Sequence, residues 1–129
     1  MTPTKEAGNI AVMIVDDHAM FREAMCFALS EYPHITVPYE AGTGEEALAM
    51  LRECEPDVIL MDISLPGING IETIRQALKI REVPIIALSM HERELYEKAA
   101  KEAGARAYAL KADPMDDLVK LIEETVRDG

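Results

Sequence analysis

Three sets of chargeable residues follow short apolar runs in this 129-residue sequence. Asp16-Asp17 follows Ile10–Val15, Asp62 follows Val58-Ile59-Leu60-Met61, and Lys111 follows Tyr108-Ala109-Leu110. Apolar runs of this length read as buried strands. In an open parallel sheet the strand ends share one edge, and ligands bind there. Three carboxylates gathered at such an edge repel one another unless positive charge holds them ionised. A hard divalent cation together with the Lys111 ammonium meets that need. Mg²⁺ takes oxygen ligands in octahedral geometry and keeps several waters. Asp17 and Asp62 are the expected direct ligands. Asp16 would act through a water, and the backbone carbonyl of Ser64 would add a further ligand. One oxygen of Asp62 then faces an incoming phosphorus, and aspartate is an established covalent phosphate acceptor. The metal and Lys111 would neutralise the group in transfer, which is most of what phosphoryl transfer requires. Ser89, after the fourth apolar run, is placed to offer its hydroxyl to a phosphoryl oxygen.

Taken singly, each residue has a plainer reading. An acidic pair is usually a solvated loop, and Asp17 alone is an ordinary helix N-cap. Asp62 alone is a turn residue, Lys111 alone a surface lysine, and Ser89 alone carries little. His18 reads as part of the start of the first helix and not as a ligand, because one histidine among carboxylates suits Mg²⁺ better than zinc. The functional reading rests on the set, at the ends of four strands.

The elements that must position this set alternate five times. Strands are expected near Ile10–Val15, Ile35–Tyr39, Val58–Met61, Ile85–Leu88 and Ala107–Leu110. The first, third and fourth are continuous apolar runs, as parallel strands covered on both faces require. In the first helix Phe21, Ala24, Met25, Ala28 and Leu29 form the expected buried stripe, with Met20 and Phe27 beside it as a candidate partner patch. The second helix opens on Thr43-Gly44-Glu45-Glu46, a capping box ahead of Ala47, Leu48 and Leu51. The third runs from about Gly70 to Ile80 with Ile71, Ile74 and Leu78 inward. The fourth runs from about Glu92 to Ala103 with Leu95, Ala99, Ala100 and Ala103 inward. The fifth takes Asp113 as N-cap and Pro114 as its first residue, and carries Leu118, Leu121, Ile122 and Val126. Five βα units imply an α/β three-layer sandwich with right-handed crossovers. The flavodoxin-like (βα)5 order 2-1-3-4-5 fits, and it sets the ends of strands one and three side by side.

Bulk properties narrow the function. The net charge of -11 argues against direct nucleic-acid binding by this chain. Cys26 and Cys54 lack metal-ligand spacing and read as free thiols on helices, consistent with a cytoplasmic setting. No apolar run is long enough for a bilayer, so no membrane partner is expected. Residues 1–9 read as a disordered lead-in, residues 10–127 as one domain.

The residues resemble a known family, the receiver domain of two-component response regulators. The resemblance lies in Val15-Asp16-Asp17-His18, in Met61-Asp62-Ile63-Ser64-Leu65-Pro66-Gly67 with Gly70, in Ala87-Leu88-Ser89, and in Tyr108-Ala109-Leu110-Lys111. It is closest to receivers that precede a LuxR-type helix-turn-helix domain, through Asp16-Asp17-His18, Ser89-Met90-His91-Glu92 and Ala103-Gly104-Ala105-Arg106-Ala107-Tyr108. It implies that Asp62 is the phosphoacceptor, supplied by a sensor histidine kinase or phosphotransfer domain. It implies Asp16 and Asp17 as the Mg²⁺-binding pair, Ser89 and Tyr108 as a switch pair, and Lys111 as the contact to the phosphoryl group. Ser64 and His91 flank the site. The chain departs from the wider pattern at Ala112, where many receivers carry proline, so a trans peptide is expected there. It ends after the fifth helix, as a stand-alone receiver or as part of a transcriptional regulator whose effector domain lies elsewhere. The resemblance implies a homodimer through the fourth helix, fifth strand and fifth helix, and a face using the first and fifth helices is an equal alternative.

This resemblance makes the chain a signalling switch that catalyses only its own phosphorylation and dephosphorylation, not a classical enzyme. Two other readings compete. A Mg²⁺-dependent phosphatase would need a general acid, and Ser64 stands where a second carboxylate would be expected. A phosphorylation-independent docking module would not require the intact set.

Overall fold

The computed structural model describes residues 9–64, 69–90 and 94–128. Strands and helices alternate as β1 (Ile10–Val15), α1 (Ala19–Leu29), β2 (Ile35–Ala41), α2 (Gly44–Leu51), β3 (Val58–Asp62), α3 (Gly70–Ile80), β4 (Ile85–Ser89), α4 (Glu94–Ala103), β5 (Ala107–Leu110) and α5 (Met115–Arg127). The expected strands are all present, with β2, β3 and β4 each extended at the C-terminal end. The sheet is parallel, in the order β2-β1-β3-β4-β5. Val12–Val15 of β1 pair with Val58–Met61 of β3. Asp16 and Asp62 therefore leave neighbouring strands at the same edge.

The inner strands β1, β3 and β4 are covered on both faces because they are apolar at successive positions up to their C-terminal ends, whereas the edge strand β2 alternates. Val12, Ile14, Val58, Leu60, Ile86, Leu88, Ala107 and Ala109 pack with Met25, Leu29, Leu118, Val119 and Ile122 of α1 and α5. Met13, Val15, Ile59, Met61, Ile85 and Ala87 pack on the other face with Ala47, Leu51, Ile74, Ala77 and Ala100 of α2, α3 and α4. Successive strand residues point to opposite faces, and this parity decides where each functional side chain goes.

The helices depart from expectation in particulars. On α1 the fully buried residues are Met25 and Leu29, while Ala24 is exposed. At 100° per residue Ala24 falls about 120° from the centre of that face. On α3, Thr73 and Ala77 are buried beside Ile74, and Ile71 and Leu78 are half-buried. On α4 only Ala100 and Ala103 are fully buried, and Leu95 is 73% exposed. Leu95 lies about 110° from the line through those alanines. The start of α4 near Glu92 falls outside the described residues. The α2 cap forms: Thr43 Oγ1 accepts from the Glu46 N–H, and Glu46 Oε1 accepts from the Gly42 N–H. At α5 the expected cap does not form. Pro114 is the N-cap, and the Asp113 carboxylate accepts the Leu110 N–H at 2.9 Å instead. Aspartate commonly closes a turn on nearby backbone in this way. Cys54 lies beyond α2, not within it, and both cysteines are free. Among the described residues no peptide bond is cis, that of Lys111 and Ala112 included, and no helix is long and apolar enough to cross a membrane.

The C-terminal end of α4 is closed by a glycine. Gly104 has φ +121°. Its N–H donates to Lys101 O, and the Ala105 N–H donates to Ala100 O, both at 3.0 Å. These are the two bonds of a Schellman cap, and they seat Ala105 in the core beside Ala100. A Cβ here would also meet Leu78 Cδ1 at 2.3 Å. Gly104→Ala is expected to destabilise the fold by about 1–2 kcal/mol in urea denaturation, since L side chains rarely adopt positive φ. An unchanged midpoint would contradict this account of the α4 terminus.

Candidate functional site

Parity sends Asp16, Asp62 and Lys111 to one face. Asp16 continues Val12 and Ile14, Asp62 continues Val58 and Leu60, and Lys111 continues Ala107 and Ala109, all on the α1 and α5 side. The three side chains meet. Lys111 Nζ lies 2.6 Å from Asp16 Oδ2 and 3.4 Å from Asp62 Oδ2, and the lysine side chain is only 6% exposed. Its ammonium also stands 4.6 Å from the centroid of the Phe21 ring on α1, within the range of a cation–π contact.

Backbone bonds hold each member in place. The Asp16 N–H donates to Ala41 O at 3.0 Å, which carries the β1–β2 ladder one residue past β1. Arg22 donates to Asp16 O at 2.5 Å and reaches Glu40 at 3.4 Å. Asp62 is fixed from both sides. The Ile63 N–H donates to Leu88 O at 3.1 Å, and the Ser64 N–H donates to Asp62 Oδ1 at 2.9 Å. Behind it, a Cβ on Gly70 would stand 2.2 Å from Asp62 O and 2.4 Å from Ile63 Cα. The first turn of α3 thus rests directly on the acceptor backbone, an approach only glycine permits. The Lys111 N–H donates to Ser89 O at 2.8 Å, joining the ends of β4 and β5.

Asp17 and His18 complete the group. Ligand atoms of Asp16, Asp17, His18 and Asp62 all lie within 4.8 Å of one another. His18 is the N-cap of α1, as expected of a residue at the helix start, but its side chain makes no cap bond. The ring instead turns to the carboxylates, with Nδ1 3.2 Å from Asp16 Oδ1 and 3.3 Å from Asp17 Oδ1.

The electrostatics call for a cation. Asp16 and Asp62 are each 1% exposed, and Oδ2 of both is buried without a hydrogen bond of good geometry. Lys111 approaches both, yet one ammonium cannot balance three carboxylates. Burial pushes the Asp62 carboxyl above its usual range, and the neighbouring Asp16 charge adds to this. The Ser64 N–H and Lys111 act against the shift without cancelling it. A divalent cation would balance the remaining two negative charges, and the donor set, mostly carboxylate oxygen, suits a hard ion.

Ser89 and Tyr108 differ from these residues in parity. Parity places both on the α2–α4 side, where Tyr108 is half-buried against that core. Ser89 is buried at the end of β4 and pairs with Leu110, while Tyr108 pairs with Ala87. Ser64 enters the site through its N–H. Leu65-Pro66-Gly67 and His91 lie outside the described residues. Sequence reasoning passed over Arg22 and the contact role of Gly70. A signal existed for both. Arg22 falls about 40° from the centre of the α1 buried face, and a glycine inside a helix pattern marks a close packing contact.

The model of the response regulator receiver domain matches residues 12–123. The transcriptional regulatory protein DegU of Brevibacillus brevis is 34% identical over 122 residues, 94% of this chain and 52% of that protein. The nitrate/nitrite response regulator protein NarL of Escherichia coli K12 is 34% identical, over 88% of this chain and 53% of its own length. The chain spans about half the length of these relatives. Among solved structures, a LuxR-family two-component response regulator from Aurantimonas sp. SI85-9A1 superposes with a TM-score of 0.89 at 33% identity, covering 93% of this chain and 86% of that one. The signal receiver domain of a putative NarL from Mycobacterium tuberculosis gives 0.84 at 29% identity, covering 92% and 97%.

Two outcomes follow for stability. An acid whose folded pKa is raised favours its protonated form in the fold. Its ionisation therefore costs stability in full above the folded pKa and not at all below the ordinary value of 3.8. Asp62→Asn should raise the unfolding midpoint at pH 7 in EDTA, and the gain should shrink as pH falls through the acid range. Wild type should gain more from added Mg²⁺ than the variant does. Urea titrations at several pH values check both. Separately, Gly70→Ala should cost roughly 1–3 kcal/mol, because the new methyl must displace the Asp62 backbone.

Proposed function

The chain belongs to the family of response regulator receiver domains of two-component systems, and on that premise we propose that Asp62 accepts a phosphoryl group in a Mg²⁺-dependent step. The observation that carries this is the buried Asp62 carboxylate facing Lys111 beside a second buried carboxylate, Asp16. The donor is a phosphohistidine on a sensor histidine kinase or phosphotransfer domain. A carboxylate oxygen of Asp62 forms a bond to phosphorus while the P–N bond to the donor imidazole breaks. The electron pair returns to that ring nitrogen, which takes up a proton. Asp16, Asp17, Asp62 and the Ser64 carbonyl would hold the cation, which would supply neutralising charge for phosphoryl oxygens.

The chain's own groups do the rest. Lys111, freed from Asp16, pairs with the new phosphoryl charge. The Ser64 N–H orients the acceptor through Asp62 Oδ1. Gly70 fixes the acceptor's backbone. Ser89 turns its hydroxyl to a phosphoryl oxygen and Tyr108 rotates inward, a two-state packing change driven by added charge. Loss of the group is attack of water on phosphorus with return of the Asp62 carboxylate, so the chain turns over no substrate but itself. Met20 and Phe27 on α1 are 83% and 73% exposed, as a docking face for the donor requires. The output is that of a cytoplasmic LuxR-type transcriptional regulator, with this chain as the receiver and a homodimer as the form that phosphorylation favours.

Intact mass after incubation with acetyl phosphate and Mg²⁺ tests the central step. One phosphoryl group should be gained by the wild type and none by Asp62→Asn, nor by the wild type in EDTA. A gain retained in Asp62→Asn would move the acceptor elsewhere and end this assignment.

A further inference from the structure

His18 is the one nitrogen donor in an otherwise oxygen-lined group. Two features separate it from a histidine that merely begins a helix. Its side chain makes no cap bond to α1. Its Nδ1 stands 3.2 Å and 3.3 Å from one oxygen each of Asp16 and Asp17. Neighbouring corners of an octahedron with bonds of ~2.1 Å are about 3.0 Å apart. Nδ1 and Asp16 Oδ1 are within hydrogen-bond distance, and the same oxygen accepts the His18 N–H at 2.8 Å, so the three atoms already stand at about the spacing of adjacent ligands on one ion. A separate observation points to a cation in the same group. Asp16 Oδ2 and Asp62 Oδ2, on residues 1% exposed, are buried with no hydrogen bond of good geometry, and the single Lys111 ammonium is what faces both among the described residues.

We propose that His18 is a metal ligand of this site: its Nδ1 joins the carboxylates of Asp16, Asp17 and Asp62 and selects divalent transition metals that favour nitrogen, Co²⁺ and Ni²⁺ foremost, over Mg²⁺. This rests on the reading that the acidic group holds a divalent cation. The chemistry is that of ligand preference. Mg²⁺ gains little by exchanging a water for imidazole, whereas Co²⁺ and Ni²⁺ gain strongly. His18 is 68% exposed, so its ring is free to adjust to a bound ion, and water can fill the remaining positions. The consequence is a site that all divalent ions enter, in which one side chain sets the ranking among them.

Calorimetric titration of the whole chain with Mg²⁺, Co²⁺ and Ni²⁺, for wild type, His18→Ala and His18→Gln, tests the ranking. Both variants should bind Co²⁺ and Ni²⁺ about tenfold more weakly or worse, and Mg²⁺ within about twofold of wild type. Electron spin echo spectra of bound Mn²⁺ should carry nitrogen modulation from a coordinated imidazole in wild type and lose it in both variants. Absent modulation in wild type would overturn the proposal. So would an equal loss of all three ions, which would make His18 a positioning residue for Asp16 and Asp17. Absence of any divalent binding would remove the proposal and the metal-dependent reading together. Phosphoryl uptake with acetyl phosphate is scored separately. Its failure with the nitrogen signal intact would end the receiver chemistry and leave His18 as a ligand.

Discussion

The ammonium of Lys111, wedged between two buried carboxylates, is the interaction on which the rest of this site depends. It brings a lysine from the end of β5 to within 2.6 Å of an aspartate from the end of β1. Charges this buried are tolerated only when paired, since removing an ion from water costs several kcal/mol. The pairing here is incomplete by design of composition: three acids share one base, with the His18 ring beside them. Burial, with the Asp16 charge adding to it, keeps the Asp62 carboxyl above its ordinary range, and Lys111 is what faces the inner oxygens of both aspartates. The site is poised for incoming positive charge.

Sheet order and strand parity make the cluster possible. Only with β1 beside β3 do Asp16 and Asp62 come together, and only with one parity do both face Lys111. Ser89 and Tyr108 take the opposite parity, with Ser89 still at the end of β4 on the same sheet edge. The end of β4 ties these elements together: Leu88 O accepts the Ile63 N–H and Ser89 O accepts the Lys111 N–H.

Much of this was legible in the sequence, for identifiable reasons. Continuous apolar runs marked β1, β3 and β4, since both faces of the sheet are covered there and no alternation dilutes the pattern. Charged residues at the ends of those runs marked the edge, and Asp16, Asp17, Asp62 and Lys111 met there as expected. What escaped depended on angles and on local backbone competition. Leu95 and Ala24 are apolar at nearly helical spacing, yet each lies too far around its helix to be buried. Asp113 has the chemistry of a cap, but the Leu110 N–H claimed its carboxylate first. The ring of His18 was assigned to helix initiation because residue type alone does not reveal where an imidazole turns. Gly70 stood in the quoted motif, but its contact with the Asp62 backbone appears only once α3 is laid against β3.

The Lys111–Asp16 contact has a mechanical side. β5 is the last strand of the sheet and bonds to β4 alone, whereas β1 lies near the middle with β3 and β4 between them. The ion pair is thus a guy-line running over two strands, from the outer margin of the sheet to its interior. On the proposed reaction, a phosphoryl group that draws the lysine away from Asp16 would slacken that line. The margin carrying Tyr108 and the start of α5 would then have one fewer anchor, so a charge placed on β3 would change the tension in a strand it does not touch.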